Sequence, residues 1–255
     1  MSVAINGTNG ITYNDGSLQA SAPVGKNLII NGNLAINQRG VTGTVSLSAG
    51  AYGHDRFKAG AAGATYTFAT TANVTTITIT AGSLQQVVEG LNIQSGTHTL
   101  SWTGTAQGKI DAGSYSASGV TGTLTGGTNA TVEFNTGTLT NVQLEEGTTA
   151  TPFEHLQYGQ QLALCQRYYE YGTRNFYGST DSPGNIVSEE TFKVVKRATP
   201  TMVYGTWSYS RSGGSGTGSL INYQTNINKW SGYIGTGSGF AAAFSGGAWT
   251  ADSEL

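Results

Sequence analysis

The sequence predicts an all-β protein: a jelly-roll β-sandwich, then one short helix and a smaller C-terminal β-domain, with a short hairpin at the N-terminus. Three observations predict it. Among 255 residues there are 38 glycines and 37 threonines against four prolines, so strand formers alternate with turn formers along the whole chain. The apolar runs are short and bounded by Gly, Asn or Ala-Gly; in Thr76-Ile77-Thr78-Ile79-Thr80 they alternate strictly with threonine, one face for a core and one for water. Only Tyr158 to Glu170 carries a helical stripe, with Leu162, Cys165 and Tyr169 at i, i+3 and i+7 and Gly172 as the stop.

In chain order, residues 1–26 form a separate unit. Ile11-Thr12-Tyr13 and Ser17-Leu18-Gln19-Ala20 flank Asn14-Asp15-Gly16, the signature of a small hairpin. It cannot bury a core of its own, so it should pair with another chain or another protein, with Ile11, Tyr13 and Leu18 as the docking residues. Residues 27–158 follow as the sandwich. Its strands are expected at Leu28–Ile30, Leu34–Ile36, Val45–Leu47, Thr65–Phe68, Val74–Thr80, His98–Trp102, Val120–Thr125, Ala130–Phe134 and Leu139–Leu144, with a helical turn over Ser83–Gly90. Residues 159–255 make the helix and the smaller β-domain. Strands are expected there at Phe192–Val195 and Thr201–Tyr204, with Gly213 to Gly218 as repetitive loop.

Composition excludes several classes of function. Only 10% of residues are charged, and the net charge is −2. That leaves no basic footprint for nucleic acid and no polybasic membrane attachment. No apolar run approaches the roughly 20 residues that span a bilayer, and MSVAINGTNG has neither the basic nor the apolar region of a cleavable signal. Cys165 is the single cysteine, so no disulfide framework is available.

Catalytic chemistry has little support. His54, His98 and His155 are too widely spaced for a metal set, and Glu145-Glu146 on a strand would point to opposite faces. No metal, cofactor or catalytic residue is expected. Aromatic and amide side chains remain, the combination that stacks on sugar rings and bonds their hydroxyls. Trp207, Tyr209, Trp230 and Tyr233, set among Gly and Ser, are the glycan-binding candidates, although aromatics at such density also serve as core or oligomer interface. Asp55 and Arg56 are expected to form a structural ion pair.

Three segments resemble a module of phage tail-fibre and related virion appendage proteins. They are Asn27 to Asn33 with Gln38-Arg39-Gly40 and Asp55-Arg56-Phe57; Leu144 to Gly147 with Thr151-Pro152-Phe153-Glu154; and Leu162-Ala163-Leu164-Cys165-Gln166-Arg167-Tyr168-Tyr169. Gly10 to Gln19 resembles the segment that opens such fibres, and Lys196 to Thr201 with Ala251 to Leu255 their small C-terminal β-domain. The resemblance implies a carbohydrate-binding-like jelly roll, a virion location, and a homo-oligomer, most often a trimer, held to other virion proteins by its N-terminal segment. The expected function is host adhesion: a structural appendage binding host-surface carbohydrate for adsorption. A head or baseplate decoration or connector protein without a receptor is the alternative, and a capsule depolymerase the third.

Overall fold

A computed structural model describes the chain except residues 1–3, 7–9, 13–17, 20–24, 176, 179–184, 212–213, 236–241 and 246. Side chains are described from residue 25 onward, apart from 177–178, 185–188, 209–211, 214, 219, 234–235 and 242–245. Two compact units result. One comprises residues 1–35, 41–53 and 57–156; the other comprises 36–40, 54–56 and 157–255. The main division thus falls between Leu156 and Gln157, and two short stretches from within the first half of the chain belong to the C-terminal unit.

In the N-terminal unit, β1 (Ala4–Asn6), β2 (Gly10–Thr12) and β3 (Leu18–Gln19) form a small antiparallel sheet in that order. The β2–β3 pairing aligns Ile11 with Gln19 and Thr12 with Leu18, the expected hairpin. Tyr13 and the Asn14-Asp15-Gly16 turn lie outside the described residues, and for Ile11 and Leu18 only the backbone is described.

Eight strands follow: β4 (Val45–Leu47), β5 (Lys58–Thr71), β6 (Val74–Val88), β7 (Gly96–Thr103), β8 (Gly108–Ile110), β9 (Val120–Leu124), β10 (Ala130–Phe134) and β11 (Gly137–Glu146). They run in the order β4-β5-β6-β11-β7-β9, with β10 pairing both β6 and β8. Strand β6 does double duty. Ile77 to Ile79 pair with β11, and Leu84 to Val88 pair with β10. Between these halves the buried parity flips, from Ile77 and Ile79 to Leu84, Gln86 and Val88. Gly82, at φ +68°, sits at the flip; a β-carbon there would lie 2.0 Å from the Gly63 carbonyl on β5. Glycine in the left-handed region permits a bulge that re-aims every residue beyond it. Residues Ser83 to Val88, expected as a helical turn, are therefore strand, and only a 3₁₀ turn at Gly90–Asn92 follows. The core is largely aliphatic, including Ile77, Leu100, Val132, Leu139 and Leu144, with Trp102 edge-on to Phe134 at 5.1 Å.

Leu28–Ile30 and Leu34–Ile36 are not strands. Asn31 and Leu34 have φ of 62° and 57°, which turns the chain, and amide side chains replace a neighbouring strand. Gln86 accepts from the Ile30 N–H and donates to the Ile30 carbonyl, both at 2.9 Å. Asn27 accepts from the N–H groups of Ile29 and Leu144. A buried backbone satisfied in this way needs no sheet.

The C-terminal unit begins with α1 (Tyr158–Gln166), where the Gln157 N–H donates to Gln160 Oε1 at 3.3 Å. The helix is shorter than expected: Tyr169 and Glu170 already belong to β12 (Tyr169–Arg174). Gly172 is not a helix stop but lies in β12 opposite Trp249, whose ring a β-carbon would approach to 2.6 Å. The remaining strands are β13 (Tyr177–Gly178), β14 (Asn185–Thr191), β15 (Thr201–Tyr204), β16 (Thr206–Arg211), β17 (Gly214–Ser219), β18 (Ile221–Thr225), β19 (Lys229–Gly235), β20 (Ala242–Ser245) and β21 (Gly247–Asp252). They form the sheets β12-β21-β15, β13-β20-β16-β17 and β14-β19-β18. Two expectations are corrected here. Phe192–Val195 is a loop anchored by Phe192 N–H to Asn228 O and Lys196 N–H to Ile227 O. Gly214–Ser219 is an edge strand, because β16 supplies its ladder.

Candidate functional site

The aromatics singled out in the sequence divide. Trp207 and Trp230 are fully buried, each 0% exposed, in a core they share with Trp249, Phe192 and Leu220. Trp230 lies 5.8 Å from the Trp249 ring and 5.2 Å from Tyr204. Gly247 presses so closely on Trp207 that a β-carbon would collide with the indole. Neither tryptophan offers a face to a ligand here, which corrects their assignment as stacking residues. A domain this small reaches adequate burial by filling its interior with large rings. Tyr233 is half-buried on β19 opposite Val187 and Ile221. Tyr209 lies on β16, and its side chain is outside the described set.

Asp55 and Arg56 are both buried, but each takes its partners from elsewhere in the chain. Arg56 pairs with Glu254, its guanidinium stacked 3.6 Å over the Tyr168 ring. Arg39 stacks 3.8 Å over Tyr169 and reaches Asp252 at 3.2 Å, Glu254 at 3.4 Å and Asp55 at 3.9 Å. Burial raises the carboxyl pKa of Asp55 and of Glu254, with the arginines opposing the rise. Residues far apart in sequence, 38–39, 55–56, 168–169 and 252–254, thus meet in one charge cluster within the C-terminal unit.

The cluster also sets a side chain of a cleft in this unit. Gln38 donates from Nε2 to Asp55 Oδ1 at 2.9 Å and to the Tyr169 carbonyl at 2.8 Å. Both partners are acceptors there, so the amide orientation is fixed and Gln38 Oε1 is left as an acceptor. Gln38 lines a cleft of about 460 Å³ together with Tyr158 and Leu162 of α1, Glu170, Tyr171 and Thr173 of β12, and Glu190, Lys193 and Trp249. Tyr158 and Tyr171 are 60% and 52% exposed, so their rings remain available to a ligand. Glu170, by contrast, is buried and committed: it pairs with buried Lys196 at 2.5 Å and accepts from the Lys193 backbone N–H. Burial lowers the Lys196 pKa, with Glu170 holding it up. Glu190 is engaged by Arg174 at 2.5 Å.

A second cleft of about 410 Å³ lies in the N-terminal unit, lined by Lys26, Asn92, Gln94, His98, Glu145 and Glu146 among others. Its lining has no Phe, Tyr or Trp. Its charges also serve the fold: Lys26 bonds Thr151 and the Pro152 carbonyl and lies 3.8 Å from Glu145. It lacks the open ring faces of the first cleft.

Among the described residues no group of three His, Cys, Asp or Glu side chains is placed to hold a metal, and no helix is long and apolar enough to cross a membrane. Sequence reading missed Tyr158, Tyr171 and Lys193. The one available signal was Glu170-Tyr171, where alternation on a strand sends the acid inward and the Tyr171 ring outward. No family model matches the chain, and neither curated proteins nor solved structures give a match.

Proposed function

We propose that the chain is a structural phage virion protein, a tail fibre or short appendage, that binds a host-surface glycan through the cleft bounded by α1 and β12. The observation that carries the binding half is the cleft itself: two half-open tyrosine rings beside the amide of Gln38 and the hydroxyl of Thr173. Rings of this kind stack on the apolar faces of sugars while amides and hydroxyls meet their OH groups. The virion half rests on the sequence resemblance, whose Gln38, Asp55, Arg56, Tyr168 and Tyr169 all lie in the charge cluster that positions Gln38.

A homo-oligomer, trimer favoured, accords with this reading, because several copies turn a weak single site into firm adhesion. The edge strand β18 leaves Ile221 and Tyr223 50% and 76% exposed, the kind of surface that association covers. Residues 1–26 dock the appendage to the particle.

The test is a glycan array with the recombinant full chain, paired with low-resolution imaging of labelled particles. Selective saccharide binding and label on an external appendage are expected. Label on a head or baseplate with an empty array would replace this reading with a decoration or connector protein. Release of reducing ends from host polysaccharide would identify a depolymerase.

A further inference from the structure

Resting on the glycan reading, we infer that the saccharide held in the α1–β12 cleft is acidic, carrying a carboxylate or phosphate that Lys193 meets. Three charged side chains line the cleft: Glu170, Glu190 and Lys193. Both carboxylates are already neutralised, Glu170 by Lys196 and Glu190 by Arg174. No described residue pairs with the Lys193 ammonium, so among the described residues the cleft holds one positive charge without a counter-ion. The chain as a whole is at net −2, so this local cation is not part of a general positive field.

The root of Lys193 is fixed although its side chain is exposed. Its backbone N–H donates to both Glu170 oxygens, at 3.2 and 3.3 Å, and the loop is tied on either side through Phe192 to Asn228 and Lys196 to Ile227. Glu170 therefore has two duties: it neutralises the buried Lys196 and holds the backbone from which Lys193 reaches the cleft. The acceptor left on Gln38 suits sugar hydroxyls, which donate, and Lys193 suits an anion. A neutral saccharide would use the rings and the amide and leave the ammonium to water. An acidic one would use all three.

Titration calorimetry of the full chain tests this with two matched pairs: a galacturonic acid tetramer against its carboxyl-reduced form, and a mannose 6-phosphate oligosaccharide against its dephosphorylated form. Preference of at least fivefold for an acidic member, lost in Lys193→Gln, kept in Lys193→Arg and falling with added salt, is the expected result. The pair that shows it identifies the anion. Equal binding of acidic and neutral members, or acidic preference unchanged in Lys193→Gln, overturns the inference while leaving glycan binding intact. Binding of no member of either pair, with an array that is also empty, removes the glycan reading and this inference together.

Discussion

The two units solve the same problem with different materials. The N-terminal unit buries aliphatic side chains from β-strands that alternate in and out, and the amides of half-buried Asn27 and buried Gln86 stand in for missing strand partners. The C-terminal unit buries three tryptophans, a lysine–glutamate pair and an arginine–carboxylate cluster. The contrast teaches where to look for function. In a small domain, large rings are consumed by the core, so the segment richest in tryptophan is a poor guide to a binding surface. An open face occurs instead where a strand places an exposed tyrosine next to a committed acid, as at Tyr171 and Glu170.

The largest way to break the comparison is to empty the aromatic core. Trp230→Ala should cost about 3–5 kcal/mol, read as an earlier denaturant midpoint followed by tryptophan fluorescence. Of the four tryptophans, only Trp102 lies in the other unit. A loss under 1 kcal/mol would mean that the ring is not core. Glu170→Gln comes next. It leaves the Lys196 ammonium buried without its counter-ion, a change expected to cost about 3 kcal/mol because breaking a buried pair exposes the full desolvation penalty of the survivor. A double variant, Glu170→Gln with Lys196→Met, should recover part of that loss.

Acid sensitivity sharpens the comparison further. Burial pushes the His54 pKa from 6.5 to about 4. Between those values the unfolded chain binds the proton and the folded one does not, so stability falls as pH drops through this window. The histidine's share is about 3 kcal/mol at most, at roughly 1.4 kcal/mol per pH unit. Asp55 and Glu254, with raised pKa values, act in the opposite sense, since the folded form takes up their protons first. His54→Gln should therefore flatten the decline between pH 6.5 and 4 in urea midpoints. An unchanged slope would show that His54 titrates normally.

Much of the fold was legible. Ala130–Phe134 and Thr201–Tyr204 are strands at the boundaries their turns suggested, and the alternation of Thr76 to Thr80 places Ile77 and Ile79 inside. The parity flip at Gly82 was not, because a bulge depends on the partner strand bringing Gly63 opposite, and periodicity within one strand cannot report that. The same limit governed the site. Gln38 and Asp55 stood out as motif residues, yet their relation, one orienting the other's amide, emerges only from side-chain geometry. The Glu170–Lys196 pair joins residues 26 apart, too far for any helical or strand periodicity to reveal.

The central claim is that recognition occurs at the α1–β12 cleft and not along the aromatic-rich strands. Tyr171 lines the cleft, whereas Tyr223 is the most exposed described tyrosine of those strands and lies outside it. Affinity for fragments of host-envelope polysaccharide, measured for Tyr171→Ala and Tyr223→Ala with melting temperatures recorded alongside, separates them. The expected result is at least a tenfold loss, about 1.4 kcal/mol, for Tyr171→Ala, none for Tyr223→Ala, and little change in melting for either. A loss confined to Tyr223→Ala would contradict the claim and move the site to β18.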